Sequence, residues 1–477
     1  MGQEIERTGF TPEDFAAFDA RLRAETALLH DWFRDAAFST RDRVGGFELE
    51  AWLVDAAGRP APINARVLER LADPSVVPEL ARFNIEFNSP PQALSGDALS
   101  RMLVALERVY ASSRRAAAAF DAGVLTIGIL PTLREADLTT RNMSDQKRYR
   151  ALNDQVLRQR DGRPLELNIV GHERLHILHA DVMLESAATS FQVHLKVAPA
   201  RAVEFYNLAQ ILSAPMVAVS ANSPFLFGRD LWSETRIPLF EQAVAVGGFG
   251  AGAAGPLRRV GFGSGYAHAS LFECFQENLD HYPVLLPVWS DLPVEKLEHL
   301  RLHNGTIWRW NRPLIGFDDD GTPHLRIEHR VMPAGPTLVD AIANAAFFFG
   351  LMACLGNEVA PGSELLPFSV ARDNFYAAAR DGLDAQLCWS KGRRLRVQSL
   401  ILDELLPQAR RGLEQSGLDA RDVERFLDVV RARTETGATG AAWQRAYVAR
   451  HGRDWGKLTR TYHELHDSGR PVHEWIV

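Results

Sequence analysis

Cysteine is scarce in this chain, and so are the signals of secretion. Only three cysteines occur among 477 residues, Cys274, Cys354 and Cys388, and they lie far apart. Such a set is too small for a disulfide scaffold and lacks the paired spacing of a zinc ribbon. The amino terminus lacks the basic-then-apolar pattern of a signal peptide. We therefore expect a cytoplasmic protein.

Long apolar runs and an excess of positive charge are missing as well. The most apolar run covers 341–356 and contains Asn344, so we predict a buried helix and no membrane contact. The 53 Lys and Arg residues face 60 Asp and Glu residues, which gives a net charge of −7. That balance offers no electrostatic footprint for nucleic acid. An anionic substrate would therefore need local arginines or bound cations.

The pattern of secondary structure is mixed and changes along the chain. Several segments alternate apolar and polar residues, which is typical of antiparallel strands with one wet face. Helical patterns lie between them, and after about residue 360 strands nearly vanish. The sequence predicts an α+β fold with a mostly antiparallel sheet over residues 1–360 and a helical region over 361–477. The predicted strands are 44–54, 82–88, 123–130, 189–197 and 324–332, and the predicted helices are 12–36, 95–120, 145–160, 200–219 and 336–355.

Two glutamates interrupt the apolar strand pattern of "VGGFELEAWLVD", residues 44–55. Glu48 and Glu50 are two residues apart, so they face the same side of a strand at a distance of about 7 Å. Like charges at that spacing repel each other unless a positive group lies between them. Mg²⁺ takes carboxylate oxygens and suits the pattern. Taken alone, the motif is explained more simply by two solvated carboxylates on an open sheet face.

Two further segments carry acidic residues inside strand patterns. "PELARFNIEFNSPP" contains Glu79 and Glu86, and "HLRIEHRVMPAG" places Glu328 and Arg330 on one strand face. Carboxylates on separate strands of one sheet can converge on two or three Mg²⁺ ions. Arg330 beside them could hold a phosphate with two hydrogen bonds. A plain surface ion pair between Glu328 and Arg330 is the alternative.

Three other motifs have competing interpretations. The glycine run 247–256 lacks a following Gly-Lys-Ser/Thr, so a flexible loop, or a lid, is preferred over a phosphate cradle. "GHERLHILH" places His172, His176 and His179 at helical spacing, which resembles a zinc-binding face but has no cysteine nearby and no His-Glu-x-x-His order. Gln192 and His194 lie on the polar side of a predicted strand, where a structural histidine is the alternative to a site residue.

In this order, the elements resemble the glutamate–cysteine ligase family, in its bacterial carboxylate–amine ligase branch. The similarity covers roughly residues 44–350 and leaves out the helical tail. The more specific parts are "SANSP" at 220–224 and the seven-residue spacing of Glu79 and Glu86. The similar segments are "GGFELEAWLVD", "PELARFNIEFNSPP", "TSFQVHL", "SANSPFLFG", "LWSETRIPLF", "HNGTIWRW" and "RIEHRVMPAGPT".

The resemblance implies a fold, a reaction and a set of site residues. The fold would be a glutamine-synthetase-like funnel around two or three Mg²⁺ ions. The reaction would use ATP to activate the γ-carboxylate of glutamate as an acyl phosphate, which an amine such as cysteine attacks. The oligomeric state stays open, with a homo-oligomer as one option. By resemblance, the metal ligands are Glu48, Glu50, Glu79, Glu86 and Glu328, the residues near metal and substrate are Gln192 and His194, the substrate carboxylate contacts Arg236, the phosphoryl group contacts Arg330, and Asn222 lines the pocket.

The chain also departs from the family pattern close to the expected substrates. Trp52 follows the first acidic pair where relatives carry further polar residues, and Ser89-Pro90-Pro91 replaces the usual Thr-Pro. Arg309 and Asn311 crowd the segment that begins at His303. These changes leave the ligase chemistry in place and leave the acceptor amine open, with another amino acid or amine as substrate, or a catalytically silent relative, as alternatives.

Overall fold

The structure is a computed structural model that describes residues 4–5, 7–41, 43–246, 258–358 and 366–477. Helices and strands are mixed along the chain, and the sheet is antiparallel and curled into a half-barrel, as the sequence predicts. The strands are β1 (Val44–Asp55), β2 (Val76–Pro78), β3 (Asn84–Asn88), β4 (Gln92–Ala93), β5 (Ala122–Leu125), β6 (Leu165–Val170), β7 (Arg174–His179), β8 (Ser190–Val197), β9 (Phe225–Leu226), β10 (Arg229–Asp230), β11 (Val260–Gly261), β12 (Trp308–Arg309), β13 (Asn311–Phe317), β14 (Pro323–Pro333), β15 (Gln386–Trp389) and β16 (Arg393–Arg396).

Fifteen α-helices lie within the described residues. The first begins where the sequence predicts, because Thr11 accepts a hydrogen bond from the Asp14 backbone and Asp14 accepts one from the Thr11 backbone. The helices are α1 (Pro12–Arg34), α2 (Asn64–Leu71), α3 (Ala98–Ala118), α4 (Lys147–Gln159), α5 (Ala202–Ser220), α6 (Arg236–Ala243), α7 (Phe272–His281), α8 (Glu298–Gly305), α9 (Leu338–Glu358), α10 (Phe368–Asp381), α11 (Val397–Leu400), α12 (Leu406–Gln415), α13 (Ala420–Thr436), α14 (Gly440–His451) and α15 (Trp455–Asp467).

The main sheet has eight strands in the order β13-β14-β8-β1-β3-β2, with β4 and β5 also paired to β1. Every pairing in it is antiparallel. Alternation sends Phe47, Phe191 and Val193 to one face, where they belong to a large apolar core with residues of α3, α5 and α9. The opposite face carries the polar residues of the same strands. One face is thus fixed by burial, and this also fixes the register of the other face.

Two helices under the sheet are long and apolar enough to cross a membrane, at Pro199–Ser220 and Leu338–Gly356. The buried share of their apolar stretches is 83% and 89%, so both contribute to the core of the fold. The predicted buried helix at 341–356 lies inside α9. Its neighbour α12 approaches very closely, because a Cβ at Gly412 would lie 1.9 Å from the carbonyl oxygen of Gly350.

The carboxyl-terminal helices pack tightly on the rest of the chain. Arg433 on α13 is buried and donates to Asp340 at 2.7 Å and to the Asn344 side chain at 2.6 Å, both on α9. A buried ion pair between a helix after residue 366 and one before residue 358 ties the two parts together. The predicted division into residues 1–360 and 361–477 stays a prediction.

Three sequence predictions of local structure differ from the structure. The expected strand 123–130 shortens to β5, because the chain turns away from β1 after Leu125. Strand β13 was missed, since Pro313 inside it weakens the strand pattern. The spacing of His172, His176 and His179 at i, i+4 and i+7 does not form a helix face, because the β6–β7 hairpin occupies this segment and its side chains alternate by two.

Candidate active site

Strand register places polar residues of four strands side by side on one sheet face. Glu328 on β14 lies opposite His194 on β8, and it also lies opposite Arg312 on β13. On the other side of β8, Gln192 lies opposite Glu48. In an antiparallel sheet, opposite residues have their Cβ atoms about 4.5–5.5 Å apart, so these side chains meet. Sequence alternation and pairing together build one polar surface from segments far apart in the chain.

A cavity of about 760 Å³ opens onto this surface. Its floor includes Glu48, His194 and Glu328, and five arginines also line it. A volume of that size is in the range of sites for small-molecule ligands. The arginines are Arg7, Arg148, Arg301, Arg312 and Arg326.

Glu48, His194 and Glu328 form a first group, which we call the histidine cluster. One donor atom from each lies within 4.8 Å of the others. Nε2 of His194 is 3.5 Å from a Glu48 oxygen and 3.8 Å from a Glu328 oxygen. Neither ring nitrogen has a hydrogen-bond partner within the described ranges, and burial lowers the pKa of His194. A neutral imidazole with a free nitrogen is the form that binds a metal.

Glu328 is held as a carboxylate by two arginines. Arg312 donates to both of its oxygens at 2.7 and 3.0 Å, and Arg330 donates to one of them at 3.1 Å. Burial alone would raise the pKa of Glu328, but Arg312, Arg330 and His194 hold it below its usual value. A surface ion pair was the alternative interpretation of Glu328 and Arg330 in the sequence. The structure shows a buried pair, with 2% of the Glu328 side chain exposed.

Glu50, Glu79 and Glu86 form a second group, which we call the carboxylate cluster. Glu50 lies opposite Glu86 in the pairing of β1 and β3, and Glu79 follows directly after β2. Burial, reinforced by neighbouring carboxylates, raises the pKa of Glu50 and of Glu79 to about 8. The same causes raise the pKa of Glu86 well above its usual value. Among the described residues, no arginine or lysine forms an ion pair with Glu50 or Glu79, whereas Glu328 has two arginine partners.

Gln192 and Arg330 connect the two clusters. The Gln192 amide donates to Glu50 at 3.1 Å, and its oxygen accepts a hydrogen bond from Arg330. Arg330 in turn donates to Glu328. A continuous polar chain therefore runs from the carboxylate cluster to the histidine cluster across β8.

The donor set fits hard divalent cations in both clusters. Within the parts of the chain that the structure describes, Oε1 of Glu79 is buried without a hydrogen-bond partner, and His194 has two such nitrogens. Buried carboxyl groups without countercharge either take up protons or bind a cation. Oxygen-rich sites suit Mg²⁺, and the assignment of Glu48, Glu50, Glu79, Glu86 and Glu328 as ligands stays a prediction.

Arg236 is fully buried and already has protein partners at all three guanidinium nitrogens. It donates to Glu234 at 3.2 Å, to the Ser190 hydroxyl at 3.2 Å and to the backbone carbonyls of Arg330 and Val331. It thus supports β14 directly beside Arg330. Its predicted contact with a substrate carboxylate stays a prediction, and that contact would require one of these hydrogen bonds to be exchanged.

Asn222 lies beneath the carboxyl-terminal helices and is not among the residues that line the cavity. Its amide donates to the Ala334 carbonyl and to the Tyr462 hydroxyl, each at 2.8 Å, and its oxygen accepts from Gln444 at 3.1 Å. These contacts join the loop after α5 to α14 and α15. The predicted role of Asn222 at the pocket stays a prediction.

Other sequence candidates lie away from this face. His172 contacts Asp230, His176 contacts Glu166 and His179 contacts Asp181. The three histidines have separate partners and do not converge on one site. The glycine run 247–256 lies outside the described residues, so its interpretation as a lid stays a prediction.

Sequence reasoning missed three charged residues of the site. Arg312 lies on the missed strand β13, and Arg326 shares a strand face with Glu328 and Arg330 by the same alternation rule. Glu185 precedes β8, and burial raises its pKa to about 7 while its charge raises the pKa values of Glu50 and Glu79. Alternation could have identified Arg326, whereas Glu185 had no signal because it lies in a short 3₁₀ turn.

Comparisons with known proteins agree with the fold. No curated protein sequence matches this chain. Among solved structures, the chain is similar to a glutamate–cysteine ligase from Francisella tularensis in complex with AMP, with 12% identity, 90% of each chain covered and a TM-score of 0.56. It is also similar to a bifunctional glutathione synthetase from Pasteurella multocida, with 12% identity and a TM-score of 0.50, over 92% of this chain and 54% of that one. At such identities these structures support the fold alone.

The family assignment rests on the sequence. Residues 44–464 match the model of glutamate–cysteine ligase family 2 (GCS2). The match confirms the resemblance and extends it beyond residue 350, into the helices that the sequence comparison had left out. With the sheet and the polar face described above, this match shows that the chain belongs to glutamate–cysteine ligase family 2.

Proposed function

We propose that this protein is an ATP- and Mg²⁺-dependent ligase that activates the γ-carboxylate of glutamate as an acyl phosphate and joins it to an amine. Family membership supports the broader statement, an ATP-dependent carboxylate–amine ligase with nucleotide as co-substrate. Glutamate, the amine and Mg²⁺ are the specific parts of the proposal.

One observation carries the proposal, namely two clusters of ligand-type groups on a single sheet face. The histidine cluster and the carboxylate cluster are joined through Gln192 and Arg330. Transfer of a phosphoryl group from ATP to a carboxylate brings several negative charges together. Divalent cations supply charge neutralisation and clamp the transferring group when bound. The ligands would be Glu48, Glu79 and the other carboxylates named above, with His194 as a neutral nitrogen donor.

The chain's own cations have separate tasks in this proposal. Arg330 faces both clusters, and its Nε has no hydrogen-bond partner within the described segments, so that nitrogen can donate to the transferred phosphoryl oxygens. Arg312 is already bound to both oxygens of Glu328 and therefore fixes the position of that carboxylate. Arg236 donates to the backbone of β14 and so keeps Arg330 in place.

The acceptor amine is the least constrained part of the proposal. Cysteine is the acceptor in the reaction for which the family is named, and the departures at Trp52, at Ser89-Pro90-Pro91 and at Arg309 and Asn311 leave this choice open. Trp52 faces the carboxylate side of β1 but is buried, stacked on Phe83 at 5.4 Å. Arg309 and Asn311 contact Glu277, Asn278 and Ser213 away from the cavity. Local packing therefore explains the residues at positions 52, 309 and 311.

A screen of ADP release tests the proposal. Glutamate, ATP and Mg²⁺ are held constant while a panel of amines, with cysteine among them, is varied, and the products are identified by mass spectrometry. The Glu86→Gln variant serves as the matched control, since it keeps the size of the side chain. Glutamate-dependent ADP release with one amine would support the proposal. ADP release only with another carboxylate would replace glutamate as the proposed substrate. No ADP release with any combination of carboxylate and amine would favour a catalytically silent relative.

A further inference from the structure

A second cavity of about 780 Å³ lies apart from the active site, and arginines dominate its wall. Four segments build it: the turn after β1, the loop that begins at Pro131, the β9–β10 turn and the start of α15. It shares no lining residue with the cavity over the histidine cluster. We call it the arginine cleft, with the lining residues Arg59, Arg134, Phe227, Arg453, Trp455 and Arg460.

The charges of the arginine cleft are only partly neutralised. Arg134 pairs with Asp137 at 2.9 Å, and Arg453 pairs with Glu173 at 2.9 Å. Arg59 and Arg460 have no ion pair and no side-chain hydrogen bond among the described residues. Two acidic residues also line the cleft, Glu135 and Asp454, and the second is engaged as the cap of α15 through the Lys457 backbone at 2.9 Å. Two arginines therefore remain available to an anion, in a chain whose net charge is −7.

The aromatic side of the cleft is built with backbone strain. Phe227 has a φ of 48° and is followed by Gly228 with a φ of 74°, in the tight turn between β9 and β10. Turns with two such residues favour Asn-Gly, and a bulky aromatic residue in the left-handed region is an outlier. Strain of this kind clusters at ligand-binding sites. Here it places an aromatic ring at the cavity wall.

Trp455 completes this side of the cleft. Its ring packs on Phe225, with centroids 5.0 Å apart, and lies against Gly228, where a Cβ would come within 3.4 Å of Nε1. The indole N–H donates to no described acceptor, although a partly buried tryptophan usually finds one. A ligand oxygen in the cleft would accept this hydrogen bond.

The walls of the cleft are rigidly joined. Gly58 packs its turn against α15, because a Cβ there would lie 3.0 Å from the Thr459 side chain. The Thr132 hydroxyl donates to the Gly58 carbonyl, which joins the second segment to the first. Preformed cavities bind small ligands with little ordering cost.

We propose that the arginine cleft binds a small anion that carries a planar ring and a phosphate or carboxylate group, at a site separate from the active site. Arg59 and Arg460 pair with the anionic group, the Trp455 N–H donates to it, and Phe227 contacts the ring. Arginine recognises phosphate and carboxylate oxygens with charge-assisted, often paired, hydrogen bonds. Phe227 in the strained turn adds a contact with a ring of the ligand.

Calorimetric titration with three probes tests the proposal. AMP carries both features, adenosine lacks the anionic group and inorganic phosphate lacks the ring. Two classes of AMP site are expected in the wild-type protein, one at the active site and one at the cleft. The double variant Arg59→Ser/Arg460→Ser is expected to weaken one class by at least about tenfold, since two charge-assisted contacts are lost. The other class should remain, and adenosine and phosphate should bind the cleft more weakly than AMP.

Two further variants separate the cleft from general charge effects. Arg70→Ser/Arg108→Ser removes two exposed arginines outside the cleft and should leave AMP binding unchanged. Phe227→Asn removes the ring and introduces a residue that tolerates the left-handed conformation. The fold should therefore persist while the affinity for AMP falls. Equal loss in both double variants, a single AMP site abolished by Arg330→Gln, or phosphate binding as tight as AMP would each overturn the proposal. None of these results bears on the ligase reaction itself.

Discussion

The histidine cluster and the carboxylate cluster both contain buried glutamates on the same sheet face, yet the charge of these glutamates is compensated in different ways. Glu328 has two arginine partners and is ionised within the protein alone. Within the part of the chain that the structure describes, no arginine or lysine forms an ion pair with Glu50 or Glu79, and burial raises their pKa values to about 8. In the histidine cluster, arginines of the protein balance the charge of Glu328, whereas the carboxylate cluster takes up protons when no cation is bound.

The largest expected effect comes from the carboxylate cluster. Glu86→Gln should lower the rate of ADP release by at least ~100-fold, the upper range for losing even an outer-shell partner of a metal ligand. The metal-free protein should be no less stable, because an amide needs neither proton nor cation in a buried position. Initial rates and thermal melting in EDTA measure the two outcomes. Wild-type turnover in this variant would remove Glu86 from the site.

The histidine cluster should respond in the opposite way to the same substitution. Glu328→Gln leaves Arg312 and Arg330 buried without their carboxylate, and breaking such a pair costs about 3 kcal/mol or more. Urea unfolding in EDTA measures the loss. Glu298→Gln is the matched control, because its partner Arg301 is 41% exposed and the pair should contribute less than about 1 kcal/mol. Equal effects in the two variants would contradict the expectation that the buried pairs of Glu328 contribute more to stability than an exposed pair.

The two clusters should also differ in how they make stability depend on pH, which is a smaller expected effect. Because the pKa values of Glu50 and Glu79 rise from 4.5 to about 8 in the folded protein, the folded state binds more protons than the unfolded state between these values. The free energy of unfolding should therefore fall as pH rises through that window. Glu328, with its lowered pKa, contributes stability above its unfolded pKa and loses it as pH falls.

Unfolding in urea from acidic to mildly alkaline pH, with EDTA or with excess Mg²⁺, measures this slope. Mg²⁺ should flatten it, because a cation replaces the protons of the carboxylate cluster. The Glu50→Gln variant should flatten it without Mg²⁺. A metal-free protein whose stability rises steadily up to pH 8 would contradict the raised pKa values.

The smallest effect is expected away from both clusters, at the β6–β7 hairpin. His176 pairs with Glu166 at 3.0 Å, and their side chains are 49% and 60% exposed. His176→Ala should change stability by less than about 0.5 kcal/mol and leave activity unchanged. Thermal melting with and without Zn²⁺ provides the measurement. A shift with Zn²⁺ that this variant abolishes would revive the zinc interpretation.

Sequence patterns predict some residues of the site and not others. Alternation within one strand was sufficient to place Glu48 with Glu50 and Glu328 with Arg330 on common faces. It failed for Arg312, because Pro313 weakens the strand pattern of β13. Spacing also misled for the three histidines, because four- and seven-residue spacings occur in a hairpin by chance. Glu185 lies in a turn without periodicity, so only its position in space relates it to Glu50 and Glu79.

The sequence by itself determined the α+β fold, the family and the identities of the acidic residues, because these follow from local periodicity and from motifs within single segments. The tertiary structure alone decided which carboxylates share an arginine and which do not. Strand order and register bring Arg312 across to Glu328 and leave Glu50 opposite Glu86. The same residue type thus becomes a permanent anion in one cluster and a proton or cation acceptor in the other, because burial and neighbouring charge set each pKa.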